Sequence, residues 1–162
     1  MRPGEVADTA PRQENDTVPQ AAPEHTQLPP NLVAELERNE LNTCVGQILL
    51  SESEKARVWY IRLAPGERLG FHRHVLDYFW TALNAGTAKS HVNGGPPKLA
   101  KYFAGQIQHL TFGPGEFMIH DLENVGSTEL AFVTVEYLES ANPPLPLPPE
   151  VTPRGMNKEL VA

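Results

Sequence analysis

The chain is poor in several things, and each shortage excludes something. It has a single cysteine, Cys44, so no internal disulfide is available, which suits a reducing compartment. It has no run of lysine and arginine, and its charge balance is 13 − 20 = −7. An acidic surface without a basic stripe has nothing to track a phosphate backbone, so no nucleic-acid partner is expected and no anionic membrane. No apolar stretch approaches membrane-spanning length. Met1 to Pro30 has no apolar core of the signal-peptide kind, so the expected location is cytoplasmic.

Proline and glycine are plentiful but segregated. Of 16 prolines, six fall in residues 1–30 and six in 143–153, whereas ten of 12 glycines lie between Gly46 and Gly126. Proline marks extended ends, and glycine marks the turns of a compact β body. The expected organisation is a disordered tail over 1–30, a β-barrel domain over 31–140 and a Pro-rich arm over 141–162. The arm contains Asn142-Pro143-Pro144-Leu145-Pro146-Leu147-Pro148-Pro149, which favours polyproline II along the barrel or a partner subunit.

Between the tails the pattern is that of many short strands. Val45 to Leu50, Arg57 to Leu63, Asp77 to Leu83, Leu99 to Phe103, Gln106 to Thr111 and Glu129 to Leu138 read as strands joined by glycine turns. In the second of these, Trp59, Ile61 and Leu63 share one face. A short helix precedes them, with Asn31 as its N-cap and Leu32, Val33, Leu36 and Leu41 at helical spacing, covering one end of the barrel. The fold class expected is all-β, a sandwich or barrel.

The chemistry starts at His72-Arg73-His74. On a strand, residues two apart point the same way, so both imidazoles project from one face. Neutral imidazole is a favoured ligand for zinc, iron, copper and nickel. Two ligands do not hold a divalent ion well, so a third is needed. Of the remaining histidines, His109 sits in a strand, and His91 and His25 lie in loop and tail with no role expected. Asn124 is expected to shape the turn at Val125-Gly126-Ser127-Thr128. Tyr78 and Trp80 share a strand face that looks either inward, walling the cavity, or outward, toward a second subunit. Inward, the Tyr78 hydroxyl is a candidate acid or hydrogen-bond donor.

Residues 66–86 frame the two histidines in a way that resembles the first motif of the cupin superfamily. Gly66 is followed after five residues by His72-Arg73-His74, and Gly86 closes the segment. The place the motif reserves for glutamate holds Tyr78 or Phe79 instead, so no carboxylate ligand stands there. His120-Asp121-Leu122-Glu123-Asn124 resembles the end of the second motif, with Gly105 as its leading glycine and 111–116 as an inserted loop. His72 and His74, Asp77-Tyr78, His120, Asn124-Val125-Gly126 and Val133-Thr134-Val135-Glu136 are similar to small bacterial single-domain cupins associated with β-alanine degradation.

The resemblance covers roughly residues 60 to 139 and implies a cupin-type double-stranded β-helix, a jelly-roll barrel with a short N-terminal helix and extended Pro-rich tails. It also implies a divalent transition metal held by His72, His74 and His120. Ferrous iron is favoured, with Zn2+, Ni2+, Mn2+ or Cu2+ as alternatives. The activity implied is that of a non-haem iron dioxygenase acting on a small organic acid or ketone. A non-catalytic small-molecule-binding cupin and a metal-dependent lyase or isomerase are the other readings. A small-molecule ligand and a homodimer are the expected partners.

Overall fold

Alternation builds the architecture. In β2 (Ala56–Leu63), Trp59, Ile61 and Leu63 are buried at every second position, as expected of a strand with one face on a core. The computed structural model describes residues 27–156. Of the expected disordered tail, residues 1–26 lie outside that range, as do residues 157–162 of the arm.

Around β2 the described chain runs α1 (Pro30–Arg38), β1 (Ile48–Glu52), β3 (Arg68–His74), β4 (Tyr78–Ala82), β5 (Gly86–Ser90), β6 (Lys98–Tyr102), β7 (Ile107–Leu110), β8 (Met118–Asn124), β9 (Leu130–Tyr137) and β10 (Gly155–Met156). The strands form two antiparallel sheets, β10-β1-β2-β9-β4-β7 and β3-β8-β5-β6. Setting β10 and β1 aside, β2-β9-β4-β7 opposes β3-β8-β5-β6. Eight strands in that order are two Greek keys wrapped into a jelly roll. The all-β expectation is met. The strand β8 was not foreseen, because its mixed residues Met-Ile-His-Asp-Leu-Glu-Asn bury both faces and hide the period-two signal.

Between the sheets lies a core of Leu49, Trp59, Ile61, Leu63, Leu69, Leu122, Leu130 and Phe132. Burying each large side chain contributes roughly 1.5–3 kcal/mol. The Pro-rich segment lies along its own barrel. Leu147 and Val151 pack on this core, and Asn142 ties the arm to two loops, donating to the carbonyls of Val75 and Gly113 at 3.0 Å. Gly115 N–H donates back to the Asn142 Oδ1 at 2.8 Å.

The helix departs from expectation in three ways. It begins at Pro30, where the fixed proline φ suits the first helical position, so Asn31 is inside it and not its cap. It ends at Arg38, leaving Leu41 exposed. It covers the outer face of β3 and β8, not an end of the barrel: Leu32, Val33 and Leu36 pack on Leu28, Phe71 and Ile119.

One irregularity decides which way the histidines face. On β3 the register with β8 shifts between Leu69 and His72: Leu69 opposes Leu122, and His72 opposes His120. Three steps on β3 match two on β8, so one extra residue is inserted, which is a β-bulge. Without it, alternation from the inward Leu69 would turn His72 and His74 outward. The bulge places Phe71 under the helix and both imidazoles inside.

Candidate metal centre

Two neighbouring strands supply the three imidazoles. His72 and His120 are directly opposite across the β3–β8 ladder, and His74 follows two residues on. Their ring centroids are 4.5 Å (His72–His120), 5.0 Å (His72–His74) and 5.0 Å (His74–His120) apart. One ring nitrogen from each lies within 4.8 Å of the others. The Nε2 atoms of His74 and His120 face each other at 3.0 Å.

Each ring is held by a different device. The Nδ1 of His72 lies 2.9 Å from the Gly70 carbonyl. A carbonyl only accepts, so Nδ1 carries the proton and Nε2 is left with its lone pair toward the cluster. The ring of His74 has no such bond, and its Nδ1 is buried without a partner. Stacking holds it instead: Tyr78 lies 4.1 Å away at 13°, with Phe112 a further 6.2 Å beyond Tyr78 at 9°. His120 is fixed by its strand, bridged on its other side by Val92.

Burial keeps all three rings neutral. Desolvation pushes His72 down to about 4 despite the Gly70 bond, and it lowers His120 with help from His72. His74 is depressed by burial, then by His120 and His72. Neutral imidazoles with converging lone pairs fit a divalent ion, since a ligand must be deprotonated to bind.

The cluster opens on a cavity of about 50 Å3. Its walls are the apolar Val45, Ile61, Leu69, Trp80, Leu122 and Phe132, with Tyr78, Tyr102 and Thr134 adding hydroxyls. Tyr78 and Trp80 thus face inward. Burial foremost, with the nearby Glu136, drives the Tyr78 phenol up, so its hydroxyl stays protonated. Its neighbour Asp77 is not directed at the cluster; its Oδ1 accepts from Phe112 N–H at 2.9 Å. Asn124 shapes its turn as expected, donating to Leu63 and Thr128 carbonyls and accepting from Gly126 N–H. His109 packs on Phe79 at the exposed face of β7 and does not line the cavity.

Two features escaped the sequence. His91, expected to have no role, is buried and donates through Nδ1 to Asp121 at 2.9 Å. Asp121 also accepts from Arg68 Nε at 2.8 Å, and Arg68 makes two further bonds to Glu35 of α1 at 2.8 and 2.7 Å. This network lies on the outer face, directly behind the histidines. The second feature is Glu136, buried opposite Tyr78 and accepting from Trp59 Nε1 at 2.8 Å. Desolvation is the largest cause lifting its carboxyl to about 7, with the Trp59 bond opposing. Alternation from Phe132 through Thr134 would have placed Glu136 inside. His25 lies outside the described residues.

No family model matches the chain, and no curated protein does. Solved structures similar to it include a cupin domain from Bordetella pertussis Tohama I, 23% identical, covering 60% of this chain and 95% of that one at a TM-score of 0.49. An uncharacterized conserved protein with a double-stranded β-helix domain from Klebsiella pneumoniae is 26% identical over 59% of this chain and 78% of its own, at 0.46. A cupin family protein from Methanocaldococcus jannaschii is 20% identical over 56% and 77%, also at 0.46. Among the described residues no helix is long and apolar enough to cross a membrane.

Proposed function

We propose that this chain is a metal-binding cupin in which His72, His74 and His120 hold one divalent transition ion, ferrous iron in preference to zinc, nickel, manganese or copper, and that it acts oxidatively on a small organic acid or ketone. The observation that carries this reading is the convergence of three neutral imidazoles, two buried and one half-buried, from two adjacent strands on one cavity. Three neutral ligands leave the ion its full charge and open positions, so when bound it supplies Lewis acidity and, as ferrous iron, redox capacity. The chain's own residues do the rest. The apolar walls exclude water, the Gly70 carbonyl and the Tyr78 ring orient two of the imidazoles, and the protonated Tyr78 hydroxyl donates a hydrogen bond to substrate.

A non-catalytic, ligand-binding cupin is the second reading, and a metal-dependent lyase or isomerase the third. The second is favoured by Tyr78 standing where the family motif has glutamate, and by a cavity with no lining carboxylate to serve as base. A homodimer and a cytoplasmic location belong to the same proposal. The exposed Leu99, Phe103 and Ile107 along β6, its turn and β7 support the dimer, which sedimentation velocity tests. The single cysteine suits a reducing compartment.

Metal analysis of protein purified without a polyhistidine tag, followed by oxygen-uptake assays of the iron-loaded form against small acids and ketones, separates these readings. Uptake with one compound class supports the oxygenase. Tight binding without uptake or conversion supports the carrier. Metal that persists in His72→Ala plus His74→Ala ends all three.

A further inference from the structure

Charge inside the cavity is one-sided. None of its lining residues is lysine, arginine, aspartate or glutamate. With the histidines neutral, an ion held by them brings positive charge that no wall residue offsets. The interior carboxyl of Glu136 is turned to the indole N–H of Trp59, and that of Asp121, behind the histidines, is paired with Arg68. An anionic head group is therefore wanted at the histidine corner. Away from that corner the walls offer no opposite charge to a second charged group, only the neutral hydroxyls of Tyr102 and Thr134 and the indole of Trp80 among apolar side chains. Leu69, Ile61, Leu122, Phe132 and Val45 present only carbon, and a charged tail there would be desolvated without a partner.

Size narrows the choice. The cavity of about 50 Å3, at roughly 10–15 Å3 per water, holds about three to five non-hydrogen atoms. From these observations, and resting on the metal reading above, we propose that the cavity takes a short-chain monocarboxylate. Its carboxylate sits at the ion held by His72, His74 and His120 and accepts from the Tyr78 hydroxyl. Its uncharged alkyl tail of about one to two carbons lies against Leu69, Leu122 and Phe132. Dicarboxylates, phosphate esters and amino acids such as β-alanine are rejected because their second charge meets no partner.

The test uses the full chain loaded with Co2+, whose visible spectrum reports both ion binding and exogenous ligands. Acetate, propionate, butyrate, octanoate, succinate and β-alanine are titrated in turn. Affinity is expected to rise about three- to fourfold from acetate to propionate, to gain nothing more at butyrate and to fall at octanoate. Succinate and β-alanine are expected to bind at least tenfold more weakly than butyrate. Tyr78→Phe should weaken all the monocarboxylates by about tenfold, and Phe132→Leu should move the optimum toward a longer chain. Succinate or β-alanine within threefold of butyrate, or no spectral response to any acid on protein that holds cobalt, overturns this inference alone. Failure to hold cobalt overturns the metal reading as well.

Discussion

The two faces of the β3–β8 ribbon use the same backbone for opposite purposes. Its inner face carries His72, His74 and His120, which are neutral, and one of which has a buried nitrogen with no partner. Its outer face carries Arg68 and Asp121, which are charged and bonded on every side to Glu35 and His91. His120 and Asp121 are adjacent in sequence and differ only in which way alternation turns them. Satisfied polar groups fasten a structure, whereas polar groups held in place by packing alone keep their bonding capacity for a ligand. The Glu35–Arg68–Asp121–His91 network of the outer face holds the ribbon and its helix together and so fixes the imidazoles on the inner face.

The contrast is broken most severely by Asp121→Ala. It leaves Arg68 with only Glu35 and strips His91 of its acceptor in a site where Asp121 is 1% exposed. A loss of roughly 3–5 kcal/mol is expected in urea denaturation. A loss under about 1 kcal/mol would mean that the outer network is decorative.

The next largest effect lies across the barrel, at Glu136. Its folded-state carboxyl is raised from 4.5 to about 7, so its contribution is fully present below pH 4.5 and lost as pH rises through 7. The histidines act in the opposite sense. His72 is depressed from 6.5 to about 4, so its contribution is full above 6.5 and lost as pH falls toward 4. Glu136→Gln keeps an acceptor for Trp59 and removes only the first slope. Relative to wild type it should gain on the order of 3 kcal/mol between pH 4.5 and 8. Equal differences at the two pH values would show that Glu136 does not hold its proton in the folded state.

His74→Leu sharpens the contrast from the inside. Apo stability should be unchanged or raised, because a desolvated imidazole is replaced by an apolar group, while affinity for a divalent ion drops by about 100-fold or more. Circular dichroism melts beside zinc titration check both halves. A variant that melts early but still binds would reverse the roles assigned to the two faces. The smallest effect is expected at Glu35→Gln, about 1 kcal/mol, because its pair with Arg68 is partly open to solvent, with both side chains 22% exposed. Thermal denaturation at low and high salt measures it.

How much of this was legible depended on the range of the signal. The strands β2 and β9 and the His-x-His pair are period-two patterns, and local spacing is enough to read them. The helix was visible as spacing, but its start was not, because Pro30 and Asn31 are both start signals and only packing chooses between them. The β3 bulge was signalled only by Gly70, since a glycine inside a strand pattern marks a bulge or a close backbone approach, and the choice between them comes from β8, about fifty residues away. The pairings of His91 with Asp121 and of Trp59 with Glu136 are equally non-local, joining residues 30 and 77 positions apart. Residue type suggested the three histidines, whereas their convergence required the fold.

Calorimetric titration of Zn2+ into metal-stripped, tag-free protein, run beside His72→Ala, His74→Ala and His120→Ala, addresses the central claim with the fewest intermediates. One ion per chain is expected for the wild type, with each substitution weakening binding by about 100-fold or more while the circular dichroism spectrum stays the same. Undiminished, stoichiometric binding in His120→Ala would mean that the imidazoles of β3 and β8 do not share an ion.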